Sequence, residues 1–205
     1  MASPTVQQTT ERPRAARAPV SPYRQLLRLT RTELTLFYRY RMALYIAVFP
    51  LVFVLIGVAS EGEETLPGVD AAPYYITGTP ALVAMAIGLW HISNVYAARR
   101  EQLVLKRFRA SGVTPFALFG ASTLSVLAVV LLLTAVIGGV LAWRYGVWPA
   151  DPAMVALPLV LTTVLMSLLG AAFTRLTRNA ESAQLMAMFP FLILYGASGS
   201  WCRWR

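Results

Sequence analysis

Five stretches of this chain carry no charged residue and approach or exceed the length needed to cross a lipid bilayer. They are Met42–Ala59, Tyr74–Tyr96, Phe116–Trp143, Ala153–Phe173 and Ala183–Trp201, and His91 is the only acidic or basic side chain in them. A hydrocarbon core of about 30 Å takes roughly 20 residues of α-helix. The middle three tracts exceed that length, the first falls slightly short and the fifth is marginal. Inside the hydrocarbon every backbone N–H and C=O must find its partner within the chain, so tracts like these fold as helices. The expected class is all-α: a polytopic transmembrane helical bundle of about five spans.

Composition agrees. Hydrophobic residues make up 57% of the 205 and charged residues 13%, whereas a soluble domain carries about 25% charged residues. The net charge of +9 comes from 17 Arg and one Lys, Lys106. These cations flank the apolar tracts instead of forming a basic face, which points to the inner lipid surface as the anionic partner and away from nucleic acid.

The loops set the orientation. Eight Arg precede the first tract, Ala97–Pro115 carries five basic residues, and Thr174–Ser182 carries Arg175 and Arg178. The alternate loops differ: Ser60–Pro73 has Glu61, Glu63, Glu64 and Asp70 with no cation, and Arg144–Pro152 has one Arg. Positive charge marks the cytoplasmic side, so the expectation is a multi-pass protein of the plasma (inner) membrane with a cytoplasmic N-terminus. The chain divides into a flexible cytoplasmic tail over 1–21, an amphipathic interfacial helix over 22–41, and a membrane domain over 42–201. In the second segment Leu26, Leu27, Leu34 and Phe37 recur at roughly helical spacing among Arg24, Arg28, Arg31, Arg39 and Arg41. The first 30 residues hold no apolar core of the kind a signal peptide needs.

Much chemistry is missing. The spans contain no Asp, Glu, Lys or Arg, so proton or ion coupling, which needs a buried titratable relay, would rest on His91 alone. That disfavours a secondary transporter. The phosphate-cradling motif needs a lysine behind a glycine, and Lys106 is followed by Arg107 with no glycine before it. One histidine cannot supply a Ser-His-Asp arrangement. Cys202 is the only cysteine, so neither an internal disulfide nor a zinc site is expected, and no cofactor is implied. His91 is a candidate polar site within the membrane, and equally a neutral side chain bonded to nearby backbone. Thr162, Thr163, Ser167, Met85 and Met166 are candidates for facing a transport path. Small residues spaced by four, Ala84 and Gly88 on one tract and Ala117, Ala121 and Ser125 on another, suit close helix packing.

The segment Val95–Pro115 is the most informative loop. Arg99–Ala110 reads as one short cytoplasmic helix, with Val104 and Phe108 on one side. Ser111-Gly112 supplies its stop, and Thr114-Pro115 supplies the cap and first position of the next span. Physical reasoning alone favours the plainer reading, a solvated basic loop.

The run Glu101…Leu105-Lys106-Arg107-Phe108-Arg109-Ala110-Ser111 resembles a pattern found after the second span of ABC-2 type permeases, which include exporters of daunorubicin-like drugs. Met42–Pro50 is similar to that family's opening span. Leu168–Ala171 with Thr177–Ala183 resembles its fourth-to-fifth span boundary, and Phe189-Pro190 through Gly199 resembles its late apolar region. The likeness covers about residues 25 to 199.

The resemblance implies the membrane-spanning permease subunit of an ABC exporter, not itself an enzyme. Its partners would be a separate ATP-binding subunit, a second permease copy, membrane lipid and a transported substrate that these residues do not name. It further implies ATPase coupling through Glu101, Leu105, Lys106, Arg107, Phe108, Arg109, Ser111 and Thr114, with a second cytoplasmic contact at Arg178, Asn179 and Glu181. The rival class is a non-transporting membrane scaffold or assembly protein. The family has six spans and ends in the cytoplasm. Against that pattern the chain stops one span short, with Arg203 and Arg205 on the disfavoured side, and the expectation is a truncation or frame change near residue 199.

Overall fold

The structure, a computed structural model, describes residues 21–39, 48, 52, 55, 59, 64–66, 68–146, 148 and 151–197. The expected tail, most of the first tract and the C-terminal residues 198–205 lie outside these.

Helix α1 spans Pro22–Arg39. Gln25, Leu26, Leu29, Thr30, Glu33, Leu34 and Phe37 form its inward face at three- and four-residue intervals. Arg24, Arg28 and Arg31 lie on the exposed face, and so does Leu27, which the spacing had grouped with the apolar set. Three threonines back-bond along this helix, the hydroxyls of Thr30, Thr32 and Thr35 donating to the carbonyls of Leu26, Arg28 and Arg31 at 2.8–2.9 Å. A short antiparallel pair follows, β1 (Glu64–Leu66) with β2 (Val69–Asp70), turned by Gly68 at φ +79°. This two-stranded hairpin is a small addition to an otherwise helical bundle.

The next rod is built from α2 (Ala71–Ala86), a π-helical turn over Ile87–His91, and α3 (Ile92–Glu101). The chain then breaks at Gln102-Leu103, with Leu103 at φ +55°, and continues as α4 (Val104–Ala110). The single helix expected over Arg99–Ala110 is therefore two helices at an angle. A non-glycine residue in left-handed conformation costs about 1–2 kcal/mol, so the bend persists only because tertiary contacts at its base hold it.

Thr114 caps α5 (Pro115–Tyr145), its hydroxyl accepting from the Ala117 N–H at 3.2 Å, with Pro115 at the first helical position. Gly146 ends the helix at φ +68°. Asp151 caps α6 (Pro152–Phe173) by accepting from the Ala153 N–H at 2.9 Å. Helix α7 spans Ala180–Ala197. Among the described residues three helices are long and apolar enough to cross a membrane: Gly78–Glu101, Pro115–Arg144 and Pro152–Phe173. Leu132, Val136 and Val140 on α5, with Leu161, Leu165 and Leu168 on α6, remain exposed. That is the outer surface a bundle presents to lipid.

The π turn sits at the centre. Gly88 and Gly170 lie where it crosses α6, and there is no room for a side chain at either. A Cβ on Gly170 would stand 2.8 Å from the Leu89 carbonyl oxygen and 3.1 Å from Ser93 Oγ, and one on Gly88 would stand 2.9 Å from Met166 Cβ. The Ser93 hydroxyl donates to the Gly170 carbonyl at 3.1 Å. Thr163 and Ser167, which pack in the same seam, are wholly buried. Small residues let helices approach until backbone meets backbone, which is how apolar helices gain packing energy in lipid. One core cluster, around Val83, Ile87, Ile92, Val126 and Val130, joins this rod to α5. A second, around Leu89, Ala187 and Phe191, joins it to α7. Trp90 and Phe191 contact with ring centroids 4.9 Å apart.

Gly170→Val is expected to destabilise the bundle by about 1–3 kcal/mol, because the nearest opposing atom, the Leu89 carbonyl oxygen, is backbone and cannot rotate away. Thermal unfolding in detergent, followed by tryptophan fluorescence, should show a lowered midpoint. The same substitution at Gly138, where an added Cβ meets nothing within 4 Å, should leave the midpoint within error.

Candidate functional site

The rod that began at Ala71 ends in three consecutive charged residues, and each is engaged by a different part of the bundle. Arg99 pairs with Glu33 of α1. It also donates to Ser122 Oγ of α5 at 3.2 Å and lies 5.6 Å over the Tyr96 ring. Ser122 in turn donates to the Leu118 carbonyl at 3.2 Å, with a Glu33 oxygen 3.5 Å away. The Glu33 and Arg99 side chains are only 12% and 14% exposed, so this pair is shielded from solvent, and shielding is what makes an ion pair sensitive to loss of a partner.

Arg100 donates to the Thr174 carbonyl at 2.6 Å and to the Thr177 carbonyl, both in the turn between α6 and α7. Glu101 Oε1 accepts from the Ala180 N–H at 3.1 Å, at the start of α7. A carboxylate there meets both an N–H without a helical partner and the positive end of the helix dipole. Neighbouring side chains on a helix diverge by about 100°, so three in a row reach three directions. The end of this one span is thus tied to α1, α5, the α6–α7 turn and the head of α7.

From that anchored base α4 projects. Lys106 and Arg107 are exposed on it, while Leu105 and Phe108 are half-buried. Arg109 lies in the helix. The helix closes on a left-handed Gly112 at φ +77°, with the Val113 N–H donating to the Phe108 carbonyl at 3.2 Å and the Ser111 hydroxyl to the same carbonyl at 2.9 Å. Thr114 begins the next span two residues later. Arg178, Asn179 and Glu181 are exposed beside the Ala180 N–H that Glu101 holds. The two cytoplasmic contacts expected from the sequence are therefore adjacent in space.

His91 lies apart from this cluster, in the π turn. Its ring is edge-on to Phe37 at 4.9 Å, and its Nδ1 is buried without a hydrogen-bond partner among the described residues. Of the residues considered for a path, Thr163 and Ser167 are enclosed in the Gly88–Gly170 seam and Met85 is in the core. Met166 packs against the same core, and Thr162 lines a cavity. Sequence reasoning passed over Glu33 and Ser122; it marked Gly88 as a close-packing position, and Gly170 only as part of the resemblance at Leu168–Ala171. Glu33 had a signal: it is the only acid between Arg12 and Ser60. Ser122 had none, since a serine in an apolar tract is common.

The arrangement is a junction, in which α4 is short, charged and exposed and its base is bonded to four other parts of the bundle. A family model described as ABC-2 type transporter matches residues 23–201. No curated protein and no solved structure matches the chain.

Glu33→Gln and Arg99→Gln should each destabilise the protein, and the double variant should lose less than the sum. The expected coupling is about 1–3 kcal/mol, as for residues sharing one shielded network. Reversible unfolding of the four proteins in mixed micelles measures it, and additive losses would show the pair to be energetically idle.

Proposed function

The chain belongs to the ABC-2 type transporter family, and from that premise we propose that it is the permease of an ABC exporter, driven by ATP that a separate subunit hydrolyses. As a family member it is an integral membrane component of an ABC transporter that works with an ATP-binding subunit, and it is not itself the catalyst. The further reading is that α4 docks on that subunit from the cytoplasmic side of the plasma membrane, that two permease copies act together, and that cargo moves outward.

One observation carries this reading: Arg99, Arg100 and Glu101 bond the base of α4 to α1, α5 and the α6–α7 turn. A displacement of α4 by a closing ATPase would reach those elements through short, directional bonds rather than through loose packing. Lys106 and Arg107 offer exposed positive charge for the docking itself. The stacking of charge on alternate loops supports a cytoplasmic placement for this face. Glu101 gains a second role here, since its carboxylate is engaged within the chain as the cap of α7 and serves transmission more directly than docking.

The two roles separate by experiment. Lys106→Glu with Arg107→Glu should cut co-purification of the ATPase subunit by about tenfold, the effect of reversing rim charges worth roughly 1.4 kcal/mol. Glu101→Arg should leave membrane insertion and association intact but abolish stimulation of ATP hydrolysis. Retained stimulation in Glu101→Arg would remove the junction from the mechanism. Unaltered association in the Lys106/Arg107 variant would remove α4 from the interface.

A further inference from the structure

Helix α1 has two unlike faces, and the bundle uses only one of them. Leu26, Leu29, Leu34 and Phe37 turn inward, and Leu26 lies so close to α5 that a Cβ on Gly120 would stand 3.1 Å from its Cδ1. An amphipathic helix at a membrane surface ordinarily sinks its apolar side into lipid. In α1 that side is already covered by protein. What the helix turns outward is Arg24, Arg28 and Arg31, all exposed. Positions spaced by four and then three fall within about 60° around a helix and about 10 Å along it, so the three guanidiniums form one row.

The row needs an anion from outside the chain. None of its three side chains is held by an ion pair or a hydrogen bond among the described residues. Thr32 and Thr35, exposed beside it, turn their hydroxyls back to the Arg28 and Arg31 carbonyls at 2.9 and 2.8 Å. The first 32 residues hold six Arg against a single acid, Glu11.

Depth indicates which anion. From Leu26 to Glu33 the helix advances about 10 Å, whereas its contacts on α5 move only from Gly120 to Ser122, about 3 Å. Helix α1 therefore runs across α5 rather than along it, and the row stays close to one level. That level is the charged end of the rod, where Glu33 meets Arg99. Deeper on α5, Leu124, Leu131 and Leu132 are exposed as a lipid-facing surface. Phe37 meets His91, about 12 Å further into the span than Arg99. The row thus lies where hydrocarbon gives way to lipid headgroups, a layer roughly 5–7 Å thick on each side of a bilayer. Tyr23 and Tyr38 are exposed at its two ends, and tyrosine favours that same layer.

We propose that Arg24, Arg28 and Arg31 form a binding site for the phosphodiester headgroup of an anionic phospholipid of the phosphatidylglycerol type. A guanidinium grips phosphate oxygens in pairs, and a row at phosphate level meets that geometry without desolvating a buried charge. The lipid so held fixes α1 at the level where Glu33 engages Arg99. The site goes beyond the permease reading and does not depend on it, since it requires only the membrane and its anionic lipid.

The test titrates the full chain, in micelles of a neutral detergent, with phosphatidylglycerol or phosphatidylcholine and counts bound lipids by native mass spectrometry. The first phosphatidylglycerol should bind at least about tenfold more tightly than phosphatidylcholine, and the difference should shrink as salt rises. Each of Arg24→Gln, Arg28→Gln and Arg31→Gln should weaken it about fivefold, and the triple variant should bring it to the phosphatidylcholine level. Glutamine sustains a helix about as well as arginine, so the unfolding midpoint of the triple variant should stay unchanged. A matched control, Lys106→Gln with Arg107→Gln and Arg178→Gln, removes the same charge from the α4 side and should keep the first phosphatidylglycerol bound.

Equal affinity of the wild-type chain for the two lipids would overturn the proposal, as would an equal loss in the matched control, which would reduce the effect to net charge. Displacement of the lipid by equimolar inorganic phosphate would reassign the row to a soluble anion. Lipid binding that survives in the triple variant while co-purification of the ATP-binding subunit is lost would reassign it to a protein partner. Either result defeats the lipid site.

Discussion

A guanidinium at the end of an apolar span has to be neutralised before the span can settle, and Glu33 neutralises Arg99 from a different helix. In lipid, ionisable side chains face the protein interior and pair with one another. Satisfying that demand draws α1 against the start of α5, where Ser122 completes the network. Once Arg99 is placed, Arg100 and Glu101 follow on the same helix and take up the carbonyls of the α6–α7 turn and the first N–H of α7. The arrangement of this end of the bundle descends from this one requirement.

Deeper in the bundle a different force holds. Lipid tails are as apolar as leucine, so burying leucine gives little advantage and helices adhere where they can approach closely. The seam of Gly88 and Gly170 meets that condition. The π turn at Ile87–His91 widens the helix at the crossing, and such turns are rare enough that their placement in the tightest contact is informative. The tight seam and the charged junction lie on one rod about two to three turns apart. The rod is thus clamped at its middle and bonded at its end, so motion imposed at α4, as the proposed docking requires, would reach a helix held in place at the seam. The cavity near Thr134 and Thr162 is bounded by α6, the helix that meets the rod in this seam.

Much of this was legible in residue order. The uncharged tracts announced helical spans, and Thr114-Pro115 announced the start of α5, since caps depend on neighbours in the chain. The family likeness was legible too, from the run between Glu101 and Ser111. The bend at Gln102-Leu103 was not. Local propensity favours one continuous helix over Arg99–Ala110, and the break is imposed by bonds to residues more than 70 positions away. Thr163 and Ser167 illustrate the same limit: as hydroxyls in an apolar tract they suited a transport path, yet packing encloses them while Thr162, one residue over, lines open space.

What the amino-acid order determined by itself was the solvent: neutral tracts this long are compatible only with hydrocarbon, and hydrocarbon permits only helices here, so the all-α class follows from local composition. Only the tertiary structure decided which helices touch. It brought Glu33 to Arg99, set Gly88 against Gly170, and made the segment that begins at Glu101 a neighbour of Arg178–Glu181 through the Glu101–Ala180 bond. The physical reason is that span formation is governed by each segment's own transfer from water to lipid, whereas pairing is governed by contacts between segments, and a helical period records which face is special without naming the face it will meet.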